Sequence, residues 1–289
     1  EYTFLHCHSP IGGVIGRIAG KMTGTKVIYT AHGFHFYKGA PLKNWLIYYP
    51  IEKVCAYLTD VLITINREDY ARAKSGLKAK KVVFIPGVGV DLKKYANTAE
   101  PETDLRKVLE IPDHMLWVLS VGEIIERKNH ETLIRAVAGT EDVYLTIAGQ
   151  GPLLSQLSDL TKELGVSDRV SFLGFRTDVP ALCRNADVFA LPSFQEGLSK
   201  ALMESMACEK PVICSRIRGN TDLVEEGRGG FLFNPRSVED TAQALRKIQS
   251  ADLKAMGAHN REKIRQYDLD VVMERMRVIY EEISDGVKA

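Results

Sequence analysis

The chain has 289 residues, 45% hydrophobic and 26% charged, the balance of an ordinary soluble globular protein long enough for two domains. A formal net charge of +1 excludes wholesale nucleic-acid binding, and no apolar run is long enough to cross a bilayer. Five cysteines (Cys7, Cys55, Cys183, Cys208 and Cys214) lie scattered in apolar segments without a C-x-x-C pair, which predicts reduced core thiols in a cytosolic protein and argues against zinc.

The first residue is Glu1, and residues 2–7 already read as a buried strand, so the chain is expected to begin inside a domain that lacks its N-terminal part. Gly12, Gly13 and Gly16 follow, suited to bring a helix close to a ligand or simply to the sheet. The next strands are predicted at 26–31 and 60–65, then 81–85. Between the first two of these lies an aromatic and basic stretch: Phe34, Phe36, Tyr37, Trp45, Tyr48 and Tyr49 with Lys38, Lys43 and Lys53. Such a stretch suits a lipid surface or a lipid-linked acceptor, and equally suits ordinary helix packing.

A polar run at 96–104, containing Pro101, reads as a linker. Beyond it, strands are predicted at 116–121, 143–148, 169–173, 187–191 and 211–215, with helices at 129–138, 153–164, 198–208 and 237–249 and a last one at 268–284. Strands apolar throughout, alternating with helices, predict parallel sheets covered on both faces. The expected class is α/β, with two doubly wound Rossmann-like domains, the first incomplete: 1–98, 99–266, and a C-terminal helix at 267–289 crossing back to the first domain.

Chemistry is expected beyond the carboxyl ends of the strands, where open α/β sheets bind ligands. After the strand ending at Leu191, a polar turn leads into a helix from about Leu198, with Leu198, Leu202 and Met206 as its apolar stripe. Gly197 permits close backbone approach, and the first helical amides, at the positive end of the dipole, suit a diphosphate. Glu196 and Glu204 flank this turn, Glu204 roughly 9 Å along the helix axis. By spacing alone, Glu204 reads as a solvated charge. The segment 118–133 follows another strand, with Arg127, Lys128 and Asn129 as a plausible N-cap. After LTIAGQGPL (145–153), Leu154 stands where a dinucleotide fingerprint needs its third glycine.

PSFQEGLSKALMESMACEKPVI resembles the E-x7-E segment of retaining GT-B glycosyltransferases of family four, in the capsular and exopolysaccharide branch. The resemblance runs from HCHSPIGG to the last helix. It implies two domains facing a cleft and assigns Glu196 to the donor hexose and Glu204 to the ribose hydroxyls. Gly197, Leu198 and Ser199 then belong to the donor site. Gly122 and Lys128 match the family's Gly and Lys; Glu123 replaces its usual Arg, for which Arg127 is the candidate substitute. Lys128 would stabilise the leaving diphosphate. Gly149 and Gly151 match the family's G-x-G-P turn, and backbone groups of Phe175 or Arg176 would read the base. His32 would face the donor sugar; the plainer reading is a satisfied, half-buried His. Glu209 stands where the family has Gly, at a helix C′ position.

The implied activity is retaining transfer of a hexose-type sugar from a nucleotide diphosphate sugar, UDP being the expected nucleotide, to a saccharide or lipid-linked acceptor in surface polysaccharide biosynthesis. No cofactor or catalytic metal is expected. The implied location is cytoplasmic, peripheral on the inner face of the membrane. Alternatives on the same fold are a nucleotide-sugar 2-epimerase and a catalytically weak nucleotide-sugar-binding fragment.

Overall fold

The computed structural model describes residues 2–95 and 103–288, the side chains of 286–288 excepted. Contacts divide it into two compact units, Glu1–Gly89 with Gln266–Ala289 and Val90–Arg265. The boundary expected at 98/99, and most of the linker expected at 96–104, lie outside the described residues. Among the described residues, no helix is long and apolar enough to cross a membrane.

The first unit runs β1 (Phe4–His8), α1 (Pro10–Thr23), β2 (Lys26–Ala31), α2 (Leu42–Ala56), β3 (Val61–Thr64), α3 (Arg67–Gly76) and β4 (Lys81–Phe84). The four strands are parallel in the order β1-β2-β3-β4. Pro10 opens α1, where a missing N–H costs nothing, and Gly24 closes it in the left-handed conformation. The glycines of α1 serve the sheet: a Cβ on Gly13 would come within 2.5 Å of the Tyr29 ring, and one on Gly16 within 2.0 Å of the Cys7 sulfur. That close approach buries Arg17, whose Nη1 donates to Glu52 Oε2 at 2.7 Å while its guanidinium lies 4.1 Å from the Tyr29 ring centre.

The second unit comprises α4 (Leu92–Tyr95), α5 (Leu105–Val108), β5 (Leu116–Val121), α6 (His130–Ala138), β6 (Val143–Ala148), α7 (Leu154–Glu163), β7 (Val170–Gly174), α8 (Val179–Asn185) and β8 (Val188–Leu191). It continues with α9 (Lys200–Ala207), β9 (Val212–Ser215), α10 (Asn220–Leu223), β10 (Gly230–Phe233), α11 (Val238–Gln249) and α12 (Leu253–Ile264). A 3-10 turn, Glu126–Lys128, precedes α6. All six strands are parallel, in the order β10-β9-β8-β5-β6-β7. From β5 the chain winds one way to β7, then returns to β8 on the other side and winds outward to β10. The order therefore reverses between β5 and β8, creating a topological switch point there. Its main hydrophobic cluster includes Val118, Leu133, Leu145, Val188, Ile213 and Leu245, all at 0% exposure.

β10 is a strand that the sequence reading lacks. It opens on Gly230, where a Cβ would sit 1.8 Å from the Val212 carbonyl oxygen, so the glycine is there because a neighbouring strand comes close. Last comes α13 (Leu269–Lys288), which returns to the first unit and packs Val272, Ile279 and Ile283 against Ile28, Ile63 and Ile85. All five cysteines are free thiols; four are buried and Cys7 is half-buried, a small correction to the expectation of five core thiols.

Candidate active site

The segments singled out after β5 and β8 leave the sheet on either side of its switch point. Gly122 follows β5, and the aliphatic stem of Lys128 folds back over it, so that a Cβ there would meet Lys128 Cε at 3.4 Å. Gly149 and Gly151 have a packing reason. A Cβ on Gly149 would lie 1.8 Å from the Gly122 oxygen, and one on Gly151 2.3 Å from the Ile124 oxygen. The Ile124 N–H donates to the Gln150 carbonyl at 2.8 Å, so the loops after β5 and β6 are pressed into one layer that fixes where Lys128 starts.

Asn129 is not the side-chain cap the sequence suggests. It sits at φ 55°, in the left-handed region, and makes no capping bond to α6. Its buried carboxamide donates to the carbonyls of Pro192 and Pro235, both at 2.9 Å. Asn129 thus ties the Lys128 turn to the segment leaving β8, a contact invisible to a local capping rule.

On the other side, Glu196 is only 8% exposed. Lys128 Nζ donates to its Oε1 at 2.7 Å, and Arg127 Nη1 reaches the same oxygen at 3.4 Å and the Gln195 carbonyl at 3.1 Å. A carboxylate this buried is stable only because cations and donors surround it. α9 begins at Lys200 rather than at Leu198, because Ser199 is the N-cap and its Oγ accepts from the Leu202 N–H at 3.4 Å. Leu198 is accordingly outside the helix and half-buried, and the apolar face of α9 is Leu202, Met203 and Met206. Gly197 and Leu198 form the approach to the first turn of α9, whose leading amides have no partner within the helix.

Two neighbours of this turn escaped the sequence reading. Arg218 Nε donates to the Glu196 carbonyl at 3.2 Å, and Gly219, at φ 78°, brings its Cα so near that a Cβ would stand 2.2 Å from the Gly197 oxygen. Both follow β9, at the same carboxyl edge, and that position after a predicted strand was the available signal.

Glu204 is no solvated charge. Its Oε1 accepts from the Tyr95 hydroxyl at 2.7 Å and lies 3.7 Å from Lys200 Nζ. Burial, then the hydrogen bond to Glu204 and its charge, push the Tyr95 phenol well above its ordinary value, so it stays a neutral donor. Nothing in the local sequence joins Tyr95 to a carboxylate more than a hundred positions later. At the end of α9, Glu209 has φ 58°, its N–H donating to Met206 and that of Lys210 to Ser205, both at 3.1 Å. These two bonds make a Schellman cap with a glutamate in the glycine position.

Phe175 is 70% exposed beside the end of β7, and Arg176 is held by Asp178 at 2.7 Å and 2.5 Å. The Gly174 carbonyl accepts from the Gly149 N–H at 2.8 Å, joining this edge to the β6 loop. A cavity of about 590 Å³ lies against the outer side of the Lys128 turn, lined by Glu126, His130, Phe194 and Arg236 among others and by none of the expected site residues. Burial, with a smaller push from Lys128, lowers the His130 imidazole to about 4.

His32 belongs to the first unit, at the carboxyl end of β2, where its Nε2 shares a hydrogen bond of 3.0 Å with His8 Nδ1. Desolvation of the ring and the neighbouring His8 hold it below its ordinary value. His6 beside it is satisfied by Thr30 and Tyr280.

The second unit thus assembles two cations, a buried carboxylate and a helix N-terminus at its switch point, an arrangement suited to an anionic ligand. Two family descriptions match the chain: Glycosyl transferases group 1 over residues 101–267 and Glycosyl transferase 4-like over residues 1–66. EpsD of Bacillus subtilis (strain 168), whose name places it among glycosyltransferases, is 37% identical over 99% of this chain and 78% of its own length. The Escherichia coli protein named UDP-Gal:alpha-D-GlcNAc-diphosphoundecaprenol alpha-1,3-galactosyltransferase is 30% identical over 86% of this chain, which spans 66% of that protein. HepE of Anabaena, solved in complex with UDP, shares the fold at a TM-score of 0.85 and 21% identity, over 97% of this chain and 79% of that one. With its two Rossmann-like units of the GT-B type, this chain belongs to the glycosyl transferases group 1 family.

Proposed function

We propose that the chain is a retaining glycosyltransferase that moves a hexose-type sugar from a UDP-sugar to a lipid-linked saccharide in surface polysaccharide biosynthesis. The carrying observation is the Lys128–Glu196 pair at 2.7 Å beside the first turn of α9. Support for the donor and acceptor classes comes from the Escherichia coli relative, named for UDP-Gal and a diphosphoundecaprenol-linked sugar, and from the UDP held by HepE.

In this reading a diphosphate takes over the cations that Glu196 now holds. Lys128, Arg127 and the amides leading into α9 neutralise the charge that grows on the leaving group. Glu196, released from Lys128, accepts hydrogen bonds from hydroxyls of the sugar. Glu204 takes the ribose hydroxyls on its free lone pairs while Tyr95 keeps its carboxylate in place. The acceptor hydroxyl attacks from the leaving-group side, and its proton passes to a phosphate oxygen.

Calorimetric titration with UDP and several UDP-sugars, together with transfer to a diphosphoundecaprenol-linked sugar, tests the proposal. Lys128→Ala should lower transfer by roughly a hundredfold or more, and Glu196→Ala should lower transfer far more than stability. The product anomer should match the donor. Inverted product, or free epimerised sugar released without acceptor, would overturn it.

A further inference from the structure

The cavity of about 590 Å³ beside the Lys128 turn is left unused by the donor chemistry. Its volume falls within the range of small-molecule sites, roughly 300–1,000 Å³. It belongs wholly to the second unit, and neither Lys128 nor Glu196 lines it.

Several segments meet in its walls. Glu126 opens the 3-10 turn, while His130, Glu131 and Thr132 form the first turn of α6. Phe194 follows β8 and Arg236 follows β10, and Leu153 and Leu157 come from the start of α7. The buried Asn129 carboxamide, bonded to Pro192 and Pro235, ties the first three of these segments together. The hollow is therefore held open by buried hydrogen bonds and packing.

Polar groups around it lack partners. Because Asn129 sits in the left-handed region and makes no capping bond, the leading amides of α6 have no side-chain cap. His130 is only 3% exposed, and among the described residues its Nδ1 has no hydrogen-bond partner. A buried ring nitrogen left unpaired is costly. Burial keeps that ring neutral at neutral pH, so it can donate or accept. The Arg236 guanidinium lies 5.1 Å from the centre of the Phe194 ring, which sets a fork of donors beside an apolar wall.

This lining selects among ligand classes. Two carboxylates, Glu126 and Glu131, oppose a phosphate or a nucleotide. A cation would meet Arg236. An apolar ligand would cut the α6 amides, His130 and Arg236 off from water without replacing it. A neutral polyhydroxyl ligand suits every group. The carboxylates accept from neighbouring hydroxyls, Arg236 and the amides donate, and Phe194 with Leu153 meets the C–H face of a sugar ring.

We infer that this cavity is a second saccharide site, which takes a neutral disaccharide separately from the ligand of Lys128 and Glu196. Nothing in its walls depends on sugar transfer at that other site.

The test is titration of the full chain with lactose, maltose and N,N′-diacetylchitobiose, followed by NMR. At least one of them should bind with a dissociation constant of about 1 mM or tighter and move the His130 ring resonances. UDP added afterwards should not displace it. Glu126→Ala combined with Arg236→Ala should weaken the binding roughly tenfold or more, because each removes a hydrogen bond to a charged group. Both side chains are exposed, and the double variant should keep the parent's UDP affinity, which shows that it is folded. Failure of all three disaccharides to bind, displacement by UDP, binding that the double variant retains in full, or a His130 response to inorganic phosphate that the disaccharides do not produce would overturn the inference.

Discussion

The two units are built from the same parallel strand-and-helix alternation, yet they differ in strand order. In the first, β1 to β4 lie in sequence order. In the second, the order reverses between β5 and β8, and Lys128 and Glu196 leave the sheet at that reversal. Adjacent strands whose connections depart to opposite sides leave a crevice between their loops; connections that all run the same way do not. Strand composition hardly distinguishes the units, so the meeting of Lys128 and Glu196 in the second follows from its winding. The interiors contrast as well: the polar groups fully buried in the second unit are mostly neutral, such as Thr146, Ser205 and Asn260, while the first buries an arginine–glutamate pair under Tyr29.

That contrast can be broken most severely at the ion pair. Arg17→Met leaves Glu52 buried without its cation, which should cost about 3–5 kcal/mol. Amide exchange should then accelerate across β1, β2, α1 and α2, with β5 to β8 keeping their protection. Equal loosening of both units would show that they do not open separately.

Acid should sharpen the difference. Above pH 6.5, His130 is neutral whether the chain is folded or not. Between pH 6.5 and about 4 the unfolded chain takes up a proton that the buried ring refuses, so the second unit loses stability as pH falls, by about 3 kcal/mol in all. His130→Gln should remove that acid-dependent loss from denaturation curves, and an unchanged pH profile would exclude His130 as its source. His6, also lowered to about 4, gives the first unit a weaker form of the same sensitivity because its ring stays half in water.

The smallest effect is a gain. Glu209→Gly relieves a left-handed glutamate in the Schellman cap and should stabilise the second unit by about 1 kcal/mol, read from the denaturant midpoint. No gain would mean that the glutamate side chain compensates locally.

The strands and the switch-point residues were legible because both signals are local. Runs such as VLITI and VYLTIA can only be buried strands, and a charged turn after such a run marks the ligand-binding edge. Glu209 stands where a glycine is usual, yet the helix end was still legible, since the apolar spacing of the helix stops just before it. What stayed hidden depends on partners distant in the chain. Asn129 obeys a capping preference in sequence but is recruited by the carbonyls of Pro192 and Pro235. Tyr95, Arg218 and Gly219 act on residues that only the fold brings near. The aromatic stretch stays open between a lipid surface and helix packing in the sequence, because composition alone does not say which way rings point; Phe34 and Phe36 are buried, Trp45, Tyr48 and Tyr49 pack against them, and plain aliphatics of the same helix point outward.

The hydrogen bond from Tyr95 to Glu204 has a practical consequence for dissecting the molecule. A nucleotide-binding fragment cut at residue 99, where polar composition invites the knife, would leave behind Leu92 and Tyr95, both buried in the second unit, and with them the hydroxyl that steadies Glu204. An excised piece beginning at Val90 retains that short segment, and a comparison of the two fragments would read its worth directly as a difference in UDP affinity.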